Sequence, residues 1–189
     1  MQSLQSILDK LSHHQPTLLD ETSPSAAVMI ILLVDKTDEL SIVLTKRADT
    51  LPTYAGHYSF PGGMCDAEDR DLYATAVRET QEELHVSPDS YKYIAQLDDF
   101  RDRYSHLVRP YVVLMEKNEF MMKHKISAEE IVDIYLFPLI KLNQLRDDPT
   151  LHAMTKRRPS YSYTDGPVFV WGLTANILVH FSTIIFNNF

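Results

Sequence analysis

A chain of 189 residues with 44% hydrophobic content is most simply one globular domain with a sizeable core, so residues 1–189 are read as a single unit. A net charge of −8 argues against a general nucleic-acid or anionic-membrane binder, because a phosphate backbone attracts accumulated basic charge. The expected partner is a small molecule, and composition leaves the oligomeric state open. Residues 1–26 read as a short helix and a connection: Leu4, Ile7, Leu8 and Leu11 recur at helical spacing, and Pro16 and Pro24 bracket an extended stretch. Residues 27–34 are a continuous apolar run rich in branched side chains, the mark of a strand buried on both faces. A Lys36-Thr37-Asp38-Glu39 turn leads to a second strand over 42–45.

Phe60-Pro61-Gly62-Gly63 then supplies a tight turn whose bare backbone can approach a ligand closely. It feeds an acidic helix over 71–84. On that helix Glu79, Glu82 and Glu83 stand at i, i+3 and i+4, so their carboxylates project from one face within reach of a shared ion. Like charges at this spacing weaken a helix unless a cation neutralises them, and hard divalent cations that also hold phosphates prefer such oxygens. Arg78 lies beside the acids as an anchor. A solvated acidic face is the bland alternative, and the glycine pair weighs against it. Strands are expected near 93–97, 107–115 and 134–137. Residues 156–166, opening Lys156-Arg157-Arg158-Pro159-Ser160, read as an exposed basic loop, and a final helix runs over 171–185. Its stripe of Thr174, Ile177, Leu178, Phe181, Ile184 and Ile185 reads as core. The order implies an α/β layered domain with a mixed sheet.

The single Cys65 excludes an intrachain disulfide, and residues 1–10 lack a basic start followed by an apolar run. A soluble cytoplasmic protein is the expectation.

The segment from Gly63 to Val86 resembles the Nudix box, G-x5-E-x7-R-E-U-x-E-E-x-G-U with U aliphatic. Arg78-Glu79-Thr80-Gln81-Glu82-Glu83-Leu84-His85-Val86 supplies its right half, with Thr80 at the first U and His85 replacing the glycine. The upstream acid falls on Asp69, one residue further from Arg78 than in the general pattern, as in the coenzyme A pyrophosphatase branch. Val43-Leu44-Thr45-Lys46-Arg47-Ala48, Gly56 and Phe60-Pro61-Gly62-Gly63 are similar to that branch's upstream signature. Pro52 stands where it carries a second arginine, and Tyr54 where it often has histidine. Trp171-Gly172-Leu173-Thr174-Ala175 is similar to its W-G-x-T-A segment.

The resemblance implies an α/β/α sandwich of the Nudix type and metal-dependent hydrolysis of a diphosphate linkage. It implies Mg2+ or Mn2+ held by Glu79, Glu82, Glu83 and the Gly63 carbonyl, with Arg78 orienting the cluster. Gly62, Gly63 and Arg47 are expected at the substrate, and Lys46, Arg101, Arg103 and Arg109 are further cations for phosphate. One of the cluster glutamates, or Glu130 from the later Ala128-Glu129-Glu130 segment, would serve as general base. Tyr58, Phe60 and Tyr104 are candidates to stack on a base. The expected substrate is coenzyme A, giving phosphopantetheine and adenosine 3′,5′-bisphosphate. The alternatives are ADP-ribose, NADH or a dinucleotide, or a catalytically silent nucleotide-sensing module.

Overall fold

The computed structural model describes residues 3–20, 25–51, 53–152 and 159–186. Its centre is a mixed sheet built around β1 (Ser25–Val34). One edge of β1 pairs antiparallel with β2 (Leu40–Arg47) and, further along, with β4 (Gly62–Met64). The other edge pairs in parallel with β7 (Leu107–Glu116) over the full length of both strands. β3 (Tyr58–Ser59) and β8 (Ile131–Pro138) extend the sheet beyond β2, and β5 (Lys92–Gln96) and β6 (Phe100–Arg101) extend it beyond β7.

Alternation along β1 divides the core in two. Ile30 and Leu32 face one layer with Ile7 and Leu11 of α1 (Leu4–His13) and Ile177, Leu178, Phe181 and Ile185 of α4 (Gly172–Phe186). Ala27, Met29, Ile31 and Leu33 face the other, with Leu72, Ala76 and Leu84 of α2 (Leu72–Leu84) and Phe120 of α3 (Lys117–Lys123). A strand covered on both faces has no polar side to show, which is why residues 27–34 carry no alternation in sequence. Helices on both faces of a mixed sheet give the α/β/α layering.

A second, three-stranded antiparallel sheet joins β9 (Arg146–Asp147), β10 (Tyr161–Asp165) and β11 (Val168–Trp171). Over the described residues 159–166 this corrects the expectation of an exposed loop. Ser160 is 1% and Tyr163 3% exposed, and Asp165 accepts hydrogen bonds from Tyr135, Tyr163 and Lys141, so the segment is a strand held against β8. Its Tyr161-Ser162-Tyr163 stretch is β-prone, but the neighbouring cations masked that signal. Lys156, Arg157, Arg158, Pro24 and Pro52 lie outside the described residues. No helix among the described residues is long and apolar enough to cross a membrane.

Candidate active site

The acidic helix α2 begins where Asp71 accepts the Ala74 N–H through its side chain. It ends at His85, which adopts the left-handed conformation (φ 54°, ψ 26°) and donates its N–H to the Gln81 carbonyl. A glycine is the usual residue here, and histidine bears the conformational cost. His85 Nδ1 is hydrogen-bonded to the Lys125 carbonyl (3.1 Å), which secures the turn. The N–H groups of Lys125 and Ser127 donate to the carbonyls of Leu84 and Glu83, and Ser127 in turn accepts from Glu130. The loop after α3 thus caps the helix and carries Glu130 to it.

The three glutamates lie on one side of the helix but at different depths. Glu82 is exposed, Glu79 is largely buried, and Glu83 is 2% exposed with Oε2 lacking any hydrogen-bond partner. Burial pushes the Glu83 carboxyl up to about 8; the charges of Glu79 and Glu130 add to this, while Arg47 and a hydrogen bond from the Gly62 N–H oppose it. Burial likewise raises Glu79, partly offset by Arg78, with Glu82 and Glu130 adding to the rise. Exposed Glu130 therefore acts on both acids through its charge.

Arg78 organises the cluster. Its Nε and Nη2 form a paired contact with Asp69 (3.1 and 3.0 Å), Nη1 reaches Glu79 (3.0 Å) and Glu82 (2.9 Å), and Nη2 also donates to the Met64 carbonyl. Asp69 further accepts from the Asp66 N–H and the Thr75 hydroxyl. These contacts, that to Arg78 first, hold its carboxyl down at about 2. The lengthened spacing before Arg78 thus delivers a buried aspartate to the guanidinium.

The glycine turn faces this cluster across β4. Met29 donates to the Pro61 carbonyl and Cys65 to that of Ser25, which lock β4 onto β1. Gly62 has φ 148°, and a Cβ there would lie 2.7 Å from Val28 Cα. A Cβ on Gly63 would strike the Glu79 carboxylate, with Oε2 at 2.7 Å. The missing side chain leaves the backbone in direct contact with that acid. Two raised carboxyls, an orphaned buried oxygen and a bare backbone beside them fit a hard divalent cation, which would neutralise the charge and satisfy Glu83.

A cleft of about 500 Å3 opens beside Gly62 and Gly63. Arg47 borders it, 4.0 Å from Glu83 Oε1, at a bulge where the β2–β8 register shifts between Lys46 and Arg47. Such bulges re-aim side chains. Arg103, from the turn between β6 and β7, lies over the rings of Tyr54 (4.7 Å) and Tyr104 (4.6 Å). Asp102 holds that turn by accepting the N–H groups of Tyr104 and His106. Of the other expected cations, Arg109 is committed to Asp99 through two 2.8 Å contacts, and neither Lys46 nor Arg101 borders the cleft.

Tyr58 and Phe60 line the cleft yet are only 6% and 2% exposed, so they form its wall. Trp171, Gly172, Leu173 and Thr174 also border it, which corrects the reading of this stretch as core alone; the core stripe begins at Ala175. Sequence reasoning missed His57, whose ring stands edge-on to Trp171 at 4.9 Å. Burial and the charges of Arg103 and Arg47 lower its pKa.

A family model of the NUDIX domain matches residues 23–158. Nudix hydrolase 22, chloroplastic, of Arabidopsis thaliana is 30% identical over 166 residues, covering 85% of this chain and 55% of that protein. An uncharacterized Nudix hydrolase NudL of Photorhabdus laumondii is 28% identical over 164 residues, covering 86% of each. The chain spans 55–61% of the length of the two plant relatives it matches. In fold it is similar to a C. elegans Ap4A hydrolase in a binary complex (TM-score 0.52, 16% identity, 70% of this chain and 93% of that one). It is also similar to a MutT/nudix family protein of Enterococcus faecalis (TM-score 0.53, 14% identity, 93% and 64%).

Proposed function

The chain belongs to the Nudix family, and from that membership we propose that it is a divalent-metal-dependent hydrolase of a diphosphate linkage in a nucleoside diphosphate derivative. The observation that carries the reading is the buried Glu83 carboxylate, unpartnered at Oε2 and crowded by Glu79 and Glu130 beside a bare glycine backbone. Glu79, Glu82, Glu83 and the Gly63 carbonyl are the proposed holders of Mg2+ or Mn2+. When bound, such a cation neutralises phosphate charge and makes water a better nucleophile. Arg78, fixed by Asp69, keeps Glu79 and Glu82 in place. Arg47 and Arg103 offer positive charge to the diphosphate, and Glu130 or a cluster glutamate orients the attacking water.

Coenzyme A is the proposed substrate, on the upstream signature and the Trp171-Gly172-Leu173-Thr174-Ala175 segment at the cleft. ADP-ribose or NADH is the second reading, favoured by Tyr54 and Tyr104, whose rings beside Arg103 suit a planar base. The test is mass spectrometry of products after incubation with coenzyme A, ADP-ribose and NADH in Mg2+, with a metal-free control. Fastest release of phosphopantetheine and adenosine 3′,5′-bisphosphate is expected. Cleavage of only another compound overturns the coenzyme A assignment. Binding without turnover of any of them overturns the enzyme reading in favour of a sensing module.

A further inference from the structure

On the opposite layer of the sheet from α2, the end of α1, the turn between β5 and β6, and α4 bring three ligand-type side chains to one point. His14 Nε2 lies 2.8 Å from Asp98 Oδ1, and His180 Nε2 lies 3.6 Å from the same oxygen. One ligand atom from each lies within 4.8 Å of the others. The side chains are 16%, 26% and 23% exposed, buried enough to be held and open enough for an ion to enter. We propose that His14, Asp98 and His180 form a site for a zinc-type transition cation that pins the N-terminal helix to the C-terminal one.

Two imidazoles and a carboxylate with one open position are a common donor set for tetrahedral zinc. Bonds of roughly 2.0–2.1 Å place such ligand atoms about 3.4 Å apart. The two separations to Asp98, 2.8 and 3.6 Å, bracket that spacing, and the third pair of ligand atoms lies within 4.8 Å, so side-chain rotation brings the three to one ion. His180 Nε2 is a buried atom without a hydrogen-bond partner, since Asp98 at 3.6 Å is out of reach. A plain His14–Asp98 ion pair explains the shorter contact and leaves His180 Nε2 with only its longer approach to Asp98 and no hydrogen bond; a cation shared at Asp98 accounts for both.

The surroundings hold the three groups ready. Asp98 Oδ1 also accepts the Thr17 N–H (3.0 Å), and the neighbouring Asp99 accepts the Leu19 N–H and grips Arg109. The Asp99 N–H returns to the Thr17 carbonyl. The segment that positions His14 is thereby tied to the β5–β6 turn at several points. The Phe100 ring stands edge-on to His180 at 5.5 Å and restricts its rotation. On binding, the proton that His14 donates to Asp98 moves to Nδ1 or to solvent. Imidazole ligands select a softer ion than the all-oxygen glutamate cluster, so the two sites sort cations by chemistry.

The test titrates Zn2+ into the chelator-stripped full chain against a chromophoric competitor, with excess Mg2+ present to occupy the glutamates. Wild type is compared with His14→Gln and His180→Gln, each checked for folding by circular dichroism. We expect one tightly held Zn2+ per chain, binding weakened roughly tenfold or more in either variant, and a zinc-induced rise in melting temperature only in wild type. Co2+ in place of Zn2+ should give the intense visible bands of a tetrahedral nitrogen-bearing site. Equal zinc affinity in wild type and His14→Gln overturns the proposal. So does a weak octahedral cobalt spectrum that disappears in Glu83→Gln, which would place the ion on the acidic cluster. Should His180→Gln fail to fold, His14→Gln at the end of α1 decides alone. Mg2+-dependent turnover is expected to survive both substitutions.

Discussion

Glu83 combines the deepest burial in the acidic cluster with an unpartnered oxygen. A buried carboxylate that meets only one cation, Arg47, at 4.0 Å is costly, and neutralising it by mutation removes that cost. Glu83→Gln should therefore melt at the same or a higher temperature than wild type in chelator, and at a lower one in saturating Mg2+. On the proposed ligand role, turnover should fall roughly 100-fold or more because a ligand charge is lost. A melting order unchanged by metal would remove Glu83 from the ligand set. Thr80, at a position where the box has an aliphatic residue, is fully buried with Oγ1 unpartnered. Thr80→Val keeps the shape and deletes the stranded hydroxyl, so a gain of about 1 kcal/mol in denaturant unfolding is expected. Asp69 supplies the pH dependence. Its folded pKa of about 2 lies below the ordinary 3.8, so the stability it contributes is complete above about pH 4 and is lost as pH falls towards 2. Asp69→Asn should be less stable than wild type at neutral pH and should lack that added acid loss in melts across the window.

At the scale of elements, the sheet-and-helix frame was legible because its pieces are long and strongly patterned. The double-faced run of β1, the capped acidic helix and the apolar stripe of α4 all appear within a few residues of their expected bounds. The two-residue strands β3, β6 and β9 were not legible, since so short a pairing leaves no periodicity and is fixed by its partner strand. The short α3 was hidden because its middle, Phe120-Met121-Met122, is half exposed methionine with a single buried anchor. The same contrast holds in the cleft. Arg47, the glycine pair and Trp171 sit in recognisable patterns, whereas the meeting of His57 from the β2–β3 connection, Arg103 from the β6–β7 turn and Trp171 from the end of β11 is made only by the folded chain. Gly63 tests the β4–α2 contact. Gly63→Ala would drive a methyl into the Glu79 carboxylate, so Mg2+ affinity and turnover should drop by roughly tenfold or more while circular dichroism stays native. A fully active Gly63→Ala enzyme would mean that the turn does not approach the ion.

For the whole molecule, the two cores on either face of β1 put the acidic helix in one layer and α1 with α4 in the other. Leu11 is fully buried in the layer shared by α1 and α4, on the opposite face of the sheet from α2. Leu11→Ala should cost about 2–5 kcal/mol in denaturant unfolding, with kcat near wild type at a temperature where the variant remains folded. A proportionate loss of kcat would show that the far layer controls the site.

The parallel pairing of β1 with β7 also sets an order of events during synthesis. β1 is complete at Val34, but its partner begins only at Leu107, and everything between, including the glycine turn and all three cluster glutamates, forms the crossover that joins them. Parallel neighbours cannot close by a short hairpin, and so long a loop is closed late. A nascent chain halted before β7 carries every residue of the box yet lacks the strand that seats β1 and closes the crossover. The acidic cluster should therefore acquire its folded geometry only after residue 116 has left the ribosome, in a single step with closure of the sheet.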